Sequence, residues 1–120
     1  MIQHPQILGS KLAQLKINKV LNNLPQDVLE YTMENITFMA SFKNAWAYTL
    51  EENDIKGKYV IVLSDELLNQ GMQTIAYTIT HEIGHAISGH RNAIRNTQTK
   101  AEIKNQEKEA HNFARKVIYV

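Results

Sequence analysis

The sequence predicts an α+β domain: helices at the N-terminus, a three-stranded antiparallel sheet in the middle and two further helices at the end. Three observations predict it. Apolar residues recur with a period near 3.6 in the first third of the chain, with a period of 2 from Ile36 to Leu63, and with 3.6 again from about Met72. Polar, turn-forming stretches fall where the period changes. At 120 residues and 43% hydrophobic content, the chain is long enough for one compact core and too short for two, so residues 1–120 are read as a single domain.

Residues 6–22 set Leu8, Leu12 and Leu15, then Val20 and Leu24, at helical spacing with Lys11, Lys16 and Lys19 between them, which predicts an amphipathic helix. Pro25 interrupts it and suits the first turn of a second short helix carrying Val28, Leu29 and Met33. Ile36, Phe38, Ala40 and Phe42 then alternate with Thr37, Met39 and Ser41, and Trp46, Tyr48 and Leu50 alternate with Ala47 and Thr49. A turn is expected at Lys43-Asn44 and another over residues 51–57, followed by a β-branched strand from Lys58 to Leu63. Together these predict a three-stranded antiparallel meander with an aromatic face.

Ser64 before Asp65 and Glu66 is an N-cap signal for a short helix through Leu68, and Gly71 resets the chain. In the next helix Ile75, Ile79, Ile83 and Ala86 form one stripe. Residues 91–100 are polar and aperiodic, a loop by expectation. The last twenty residues return to helical spacing, with Ile103, Ala110, Ala114 and Val117 on one stripe and Phe113 at its edge.

Composition narrows the function classes. A net charge of +1 argues against a dedicated nucleic-acid binder. Residues 91–120 carry +4 and the remainder −3, which fits a solvated basic helix face. With no cysteine there is neither a disulfide nor a thiolate metal site, so any metal must be held by histidine and carboxylate. Residues 1–10 show no secretory pattern, and the longest purely apolar run, Tyr59 to Leu63, is too short to span a membrane. A soluble, cytoplasmic protein is expected.

The chemistry is concentrated at His81-Glu82-Ile83-Gly84-His85, an H-E-x-x-H arrangement that about one or two shuffled chains in a hundred of this composition would carry. Residues four apart on an α-helix differ by about 40° in direction and about 6 Å in height, so both imidazoles reach one ion. Glu82, turned by about 100°, is placed to act as a base and not as a ligand. Gly84 inside the motif weakens the helix by about 1 kcal/mol relative to alanine, and its missing side chain permits a strand or substrate to come close.

A catalytic zinc takes three protein ligands. A third histidine in the extended motif is ruled out, because Ser88 and Arg91 stand where its glycine and histidine belong, and His90 would point about 180° from His81 on a continuing helix. A glutamate on the last helix remains, and Glu102, Glu107 and Glu109 are the candidates.

Glu109-Ala110-His111-Asn112-Phe113-Ala114, following His81-Glu82-Ile83-Gly84-His85, resembles the E-A-[ND]-x-F-A segment that follows H-E-[LI]-[GA]-H in the ImmA/IrrE family of zinc metallopeptidases. The resemblance covers roughly residues 81–117, and the segment 75–79 upstream is also similar. It implies a minimal zincin-like fold, zinc (Zn2+) held by His81, His85 and Glu109, and Glu82 as the catalytic base. His111 departs from the family's Asn or Asp, a residue able to hydrogen-bond a metal-binding histidine.

The expected activity is zinc-dependent endopeptidase. The ion polarises a peptide carbonyl and acidifies a water, while Glu82 takes that water's proton and delivers it to the leaving amine. Two neutral imidazoles and one carboxylate leave the site with a net +1 that favours a developing oxyanion. Tyr48, Tyr77, His90, His111 and Tyr119 are the candidate second donors to it, and an exposed strand edge is a place for an extended substrate. The resemblance implies a protein or peptide substrate of the class of helix-turn-helix transcriptional repressors, supplied as a separate chain. Two other readings compete. One is a non-catalytic zincin-fold binding module, an antirepressor or toxin-antitoxin component with structural zinc, in which Glu82→Gln leaves activity intact. The other is a domain that binds no metal.

Overall fold

The computed structural model describes residues 6–42, 47–51, 58–88 and 100–118. In chain order these form β1 (Gln6–Leu8), α1 (Lys11–Leu21), α2 (Gln26–Asn35), β2 (Ile36–Phe42), β3 (Ala47–Glu51), β4 (Tyr59–Ser64), α3 (Asp65–Leu68), α4 (Met72–Ile87) and α5 (Lys100–Ile118). Helices account for most of the described residues.

The expected antiparallel meander is overturned. The strand order is β1-β2-β4-β3: β1, β2 and β4 run parallel, and only β3 is antiparallel, paired with β4. β2 and β3 are therefore not a hairpin, because β4 lies between them with Phe38 opposite Ile61 on one side and Thr49 opposite Ile61 on the other. The physical reason is in β4 itself. Ile61, Val62 and Leu63 are buried in succession, so both faces of the strand are covered, and a nearly continuous apolar run of this kind belongs in the middle of a sheet. Alternation in β2 identifies a half-buried strand but is satisfied equally by a parallel or an antiparallel neighbour. The turn expected at Lys43-Asn44 lies outside the described residues, as does nearly all of the one expected over residues 51–57.

The first helix is also shorter than its apolar spacing predicts. Gln6–Leu8 is an edge strand, and Ser10 caps α1 by accepting from the Ala13 amide at 3.1 Å. Gly9 makes the change of direction against β2, where a Cβ would stand 2.8 Å from the Ala40 Cβ. The buried stripe of α1 is Ala13, Ile17, Val20 and Leu21, whereas Leu8, Leu12 and Leu15 are exposed. Two stripes at helical spacing competed in this segment, and the one that includes the small alanine enters the core shared by the sheet and α4.

Phe38, Ile61 and Leu63 of the sheet, Ile17 and Leu21 of α1, and Ile75, Ile79 and Ile83 of α4 belong to one buried cluster. Each such side chain contributes about 1.5–3 kcal/mol by leaving water. α3 is capped by Ser64, whose Oγ accepts from the Leu67 amide at 3.0 Å, and Lys16 reaches from α1 to donate to the Leu68 carbonyl at 2.6 Å. α4 is thereby held between α1, the sheet and α5. Among the described residues no helix is long and apolar enough to cross a membrane.

Candidate metal centre

α4 divides its surface among three neighbours. The Ile75, Ile79, Ile83 and Ala86 stripe enters the core. Gly84 faces α5, where a Cβ on it would meet the Ala110 Cα at 3.3 Å and the Phe113 ring at 2.9 Å. The close approach expected at Gly84 is therefore made by a helix, in place of a strand or substrate. Ala110 and Ala114 are fully buried on the facing side of α5, so two helices with small residues in contact bring their polar flanks together.

On that flank the carboxylate of Glu107 lies against both histidines. His81 Nε2 is 3.2 Å from Glu107 Oε2, and His85 Nε2 is 3.2 Å from Glu107 Oε1. The His81 and His85 rings stand at 85° with centroids 4.8 Å apart. Among the described residues, these three side chains form a group whose possible ligand atoms all lie within 4.8 Å of one another. Ligand atoms about 2.0–2.2 Å from a tetrahedral ion are about 3.3–3.6 Å apart, and the two histidine–carboxylate separations of 3.2 Å lie close to that range. The donor set, two imidazoles and a carboxylate, is compatible with a metal site.

Glu109, to which the sequence expectation gave the third position, is exposed and is not part of this group. At about 100° per residue Glu107 lies about 60° from Ala110 and 20° from Ala114, whereas Glu109 lies about 100° and 140° from them. Glu102, the remaining candidate, is exposed and outside the group as well. The signal that distinguishes the glutamates is thus the period of α5.

Glu82 points to the β3 side of α4 and is buried, 6% exposed. Its Oε2 is 3.2 Å from His81 Nδ1, and its Oε1 is 3.1 Å from the Thr49 hydroxyl, which is also 3.1 Å from the Glu82 carbonyl. Burial by itself lowers the pKa of His81, but the hydrogen bond to Glu82 and the charges of Glu82 and Glu107 outweigh it, so the pKa is raised above 6.5. Without a metal, both ring nitrogens of His81 face carboxylates, an arrangement that favours the imidazolium.

Two further residues complete the flank. Tyr77, one turn before His81, has its ring 5.8 Å from the His81 ring and its hydroxyl 2.5 Å from His111 Nδ1. His111, one turn after Glu107, thus engages Tyr77 instead of a metal-facing histidine. Of the candidate oxyanion donors, His90 and Tyr119 lie outside the described residues, as does the side chain of Tyr48. Thr49 carried no signal in the sequence, being one polar residue on the alternate side of a strand.

A family model for peptidase U49 matches residues 2–120. A search of curated proteins and a search of solved structures found no match. The match supports peptidase activity and does not extend to the ImmA/IrrE family in particular. The histidine-histidine-glutamate group is compatible with a metal site, and with a match over nearly its whole length the chain belongs to the peptidase U49 family.

Proposed function

We propose that this peptidase is a zinc-dependent endopeptidase, with His81, His85 and Glu107 as the metal ligands and Glu82 as the general base. The observation that carries the reading is the convergence of both Nε2 atoms on the Glu107 carboxylate, one side chain away from a buried glutamate that is not in the group. Zinc bound there would supply Lewis acidity toward a peptide carbonyl and toward water. Glu107 takes the role that the ImmA/IrrE resemblance gave to Glu109.

The chain's own residues do the rest. With a metal bound, His81 and His85 would offer their Nε2 atoms, which face the Glu107 carboxylate, while Glu82 Oε2, 3.2 Å from His81 Nδ1, holds the other side of that ring. Glu82 receives a proton from the attacking water and returns it to the departing amine. Its burial keeps bulk water from competing for that proton. Tyr77, whose ring is 5.8 Å from that of His81, and His111, which meets its hydroxyl, are the candidate second donors to the developing oxyanion that lie near the group. The substrate is a protein or peptide, and by analogy with the ImmA/IrrE resemblance a separate helix-turn-helix transcriptional repressor fits the class. The absence of cysteine and the His/Glu donor set suit action in the reducing cytoplasm.

Metal content by mass spectrometry on tag-free protein, paired with cleavage of a labelled protein substrate, tests the proposal. About one zinc per chain, with cleavage lost in Glu82→Gln while zinc is kept, is the expected result. Retention of full activity in Glu82→Gln would favour a binding module with structural zinc, and no zinc after supplementation would sink the metallopeptidase reading.

A further inference from the structure

We infer that Thr49 is a positioning residue for Glu82, fixing the orientation of its carboxylate from the edge strand β3; the inference rests on the proposed role of Glu82 as base. Thr49 is 9% exposed, and its hydroxyl is 3.1 Å from Glu82 Oε1 and 3.1 Å from the Glu82 carbonyl oxygen. A hydroxyl carries one proton, so it donates to one of these at a time. The carbonyl stands inside α4, at a position where the helix supplies an amide donor four residues on. Oε1 is part of a charged group removed from water and makes the stronger acceptor.

The other carboxylate oxygen is engaged as well, by His81 Nδ1 at 3.2 Å. Oε1 is thus held from the sheet and Oε2 from α4 itself. A carboxylate attached by a terminal torsion with a broad, two-fold energy profile turns easily when one oxygen is left without a partner. With Thr49 in place the plane of the carboxylate is set before substrate arrives, and preorganisation of this kind lowers the barrier without altering how tightly substrate binds. Because β3 is the outer strand of the sheet among the described residues, the residue that sets the base sits on an edge strand, the kind of element an extended peptide can pair with.

A structural role confined to tying β3 to the α4 carbonyl makes a different prediction, and a double-mutant cycle separates the two. Urea unfolding of the full chain in EDTA is measured for Thr49→Val alone and in the Glu82→Ala background, which keeps the carbonyl and removes the carboxylate. The expected result is about a tenfold loss in the folding equilibrium constant when Glu82 is present and little loss when it is not. Equal losses in the two backgrounds would overturn the inference. Should Thr49→Val fail to fold, Thr49→Ala is read in the same cycle. On zinc-loaded enzyme with fluorescein-labelled casein, Thr49→Val should lower kcat about 10- to 100-fold with KM within about twofold, and Thr49→Ser should restore it. A loss expressed in KM, or no rescue by serine, would count against positioning. Casein left uncut by the wild-type enzyme would count against the endopeptidase reading, while the unfolding cycle would still decide the place of Thr49.

Discussion

Gly84 of α4 and Ala110 of α5 pass so closely that a single methyl group on the glycine would stand 3.3 Å from the alanine Cα. That contact sets how far Glu107 is from His81 and His85, because all five residues lie on the same pair of facing helices. Alanine at position 84 would gain about 1 kcal/mol of helix propensity, but it must move either the Phe113 ring, 2.9 Å away, or the α5 backbone. Overpacking of this kind costs about 1–3 kcal/mol. Gly84→Ala is therefore expected to lower stability by about 1 kcal/mol in urea unfolding and to weaken zinc binding in calorimetric titration. Unchanged zinc affinity would mean that the Phe113 ring alone absorbs the methyl.

The two neighbouring glutamates of α5 offer a direct contrast. Glu107→Gln removes the carboxylate that lies 3.2 Å from both imidazoles, whereas Glu109→Gln alters an exposed side chain outside the group. The expected outcome is a loss of zinc affinity in Glu107→Gln greater than the roughly 10- to 100-fold typical of an outer partner, with about wild-type affinity in Glu109→Gln. Metal content after dialysis against a weak chelator checks it. The reverse order would restore Glu109 as the ligand and require α5 to turn.

What could be read from the sequence divides along the same physical line. The stripe of α4, the Ser64 cap and the strand character of β2 and β4 are local, fixed by period and by side-chain hydrogen bonding, and the sequence displays them. Strand order is not local. Phe38 alternates as well beside Ile61 as it would beside a residue of β3, and only the burial of Ile61, Val62 and Leu63 together marks β4 as central. In α1, Leu12 and Leu15 outweighed Ala13 and Ile17 on hydrophobicity, yet the smaller pair is the one buried in the core. At the site, the histidines and Glu82 follow from one helix motif, but the choice among glutamates depends on which face of α5 meets Gly84. Thr49 acts across the gap from strand to helix, a relation that no spacing along the chain records.

The raised pKa of His81 gives the metal-free protein a pH dependence of definite sign. A histidine that holds its proton more tightly when folded contributes stability that is fully present below about pH 6.5, its unfolded value, and is lost as pH rises through the higher folded value. Over that window the native state binds more protons than the unfolded state, so stability falls as pH rises. Urea unfolding in EDTA at a series of pH values from about 6 upward measures the slope, which Glu107→Gln should flatten because it removes one of the charges that raise the pKa. A slope unaffected by that change would assign the proton to the Glu82 contact alone.

His111 stands close enough to the two histidines of the candidate metal group to influence them through Tyr77. The His111 Nδ1 meets the Tyr77 hydroxyl, and the Tyr77 ring rests 5.8 Å from the ring of His81, so the influence of His111 on His81 runs through Tyr77. Tyr77→Phe keeps the ring beside His81 and removes the hydroxyl; His111→Asn removes the imidazole that meets it. Each change is expected to weaken zinc binding by less than about tenfold, since neither residue belongs to the group that faces the ion. If the two act as one pair, the double variant is no weaker than the weaker of the singles, and the coupling appears as non-additivity in a chelator-competition titration. Additive losses would mean that His111 reaches His81 by a route that does not involve the Tyr77 hydroxyl, and the side-chain ladder of Tyr77, His81 and His85 against Glu107 and His111 would then be two separate contacts.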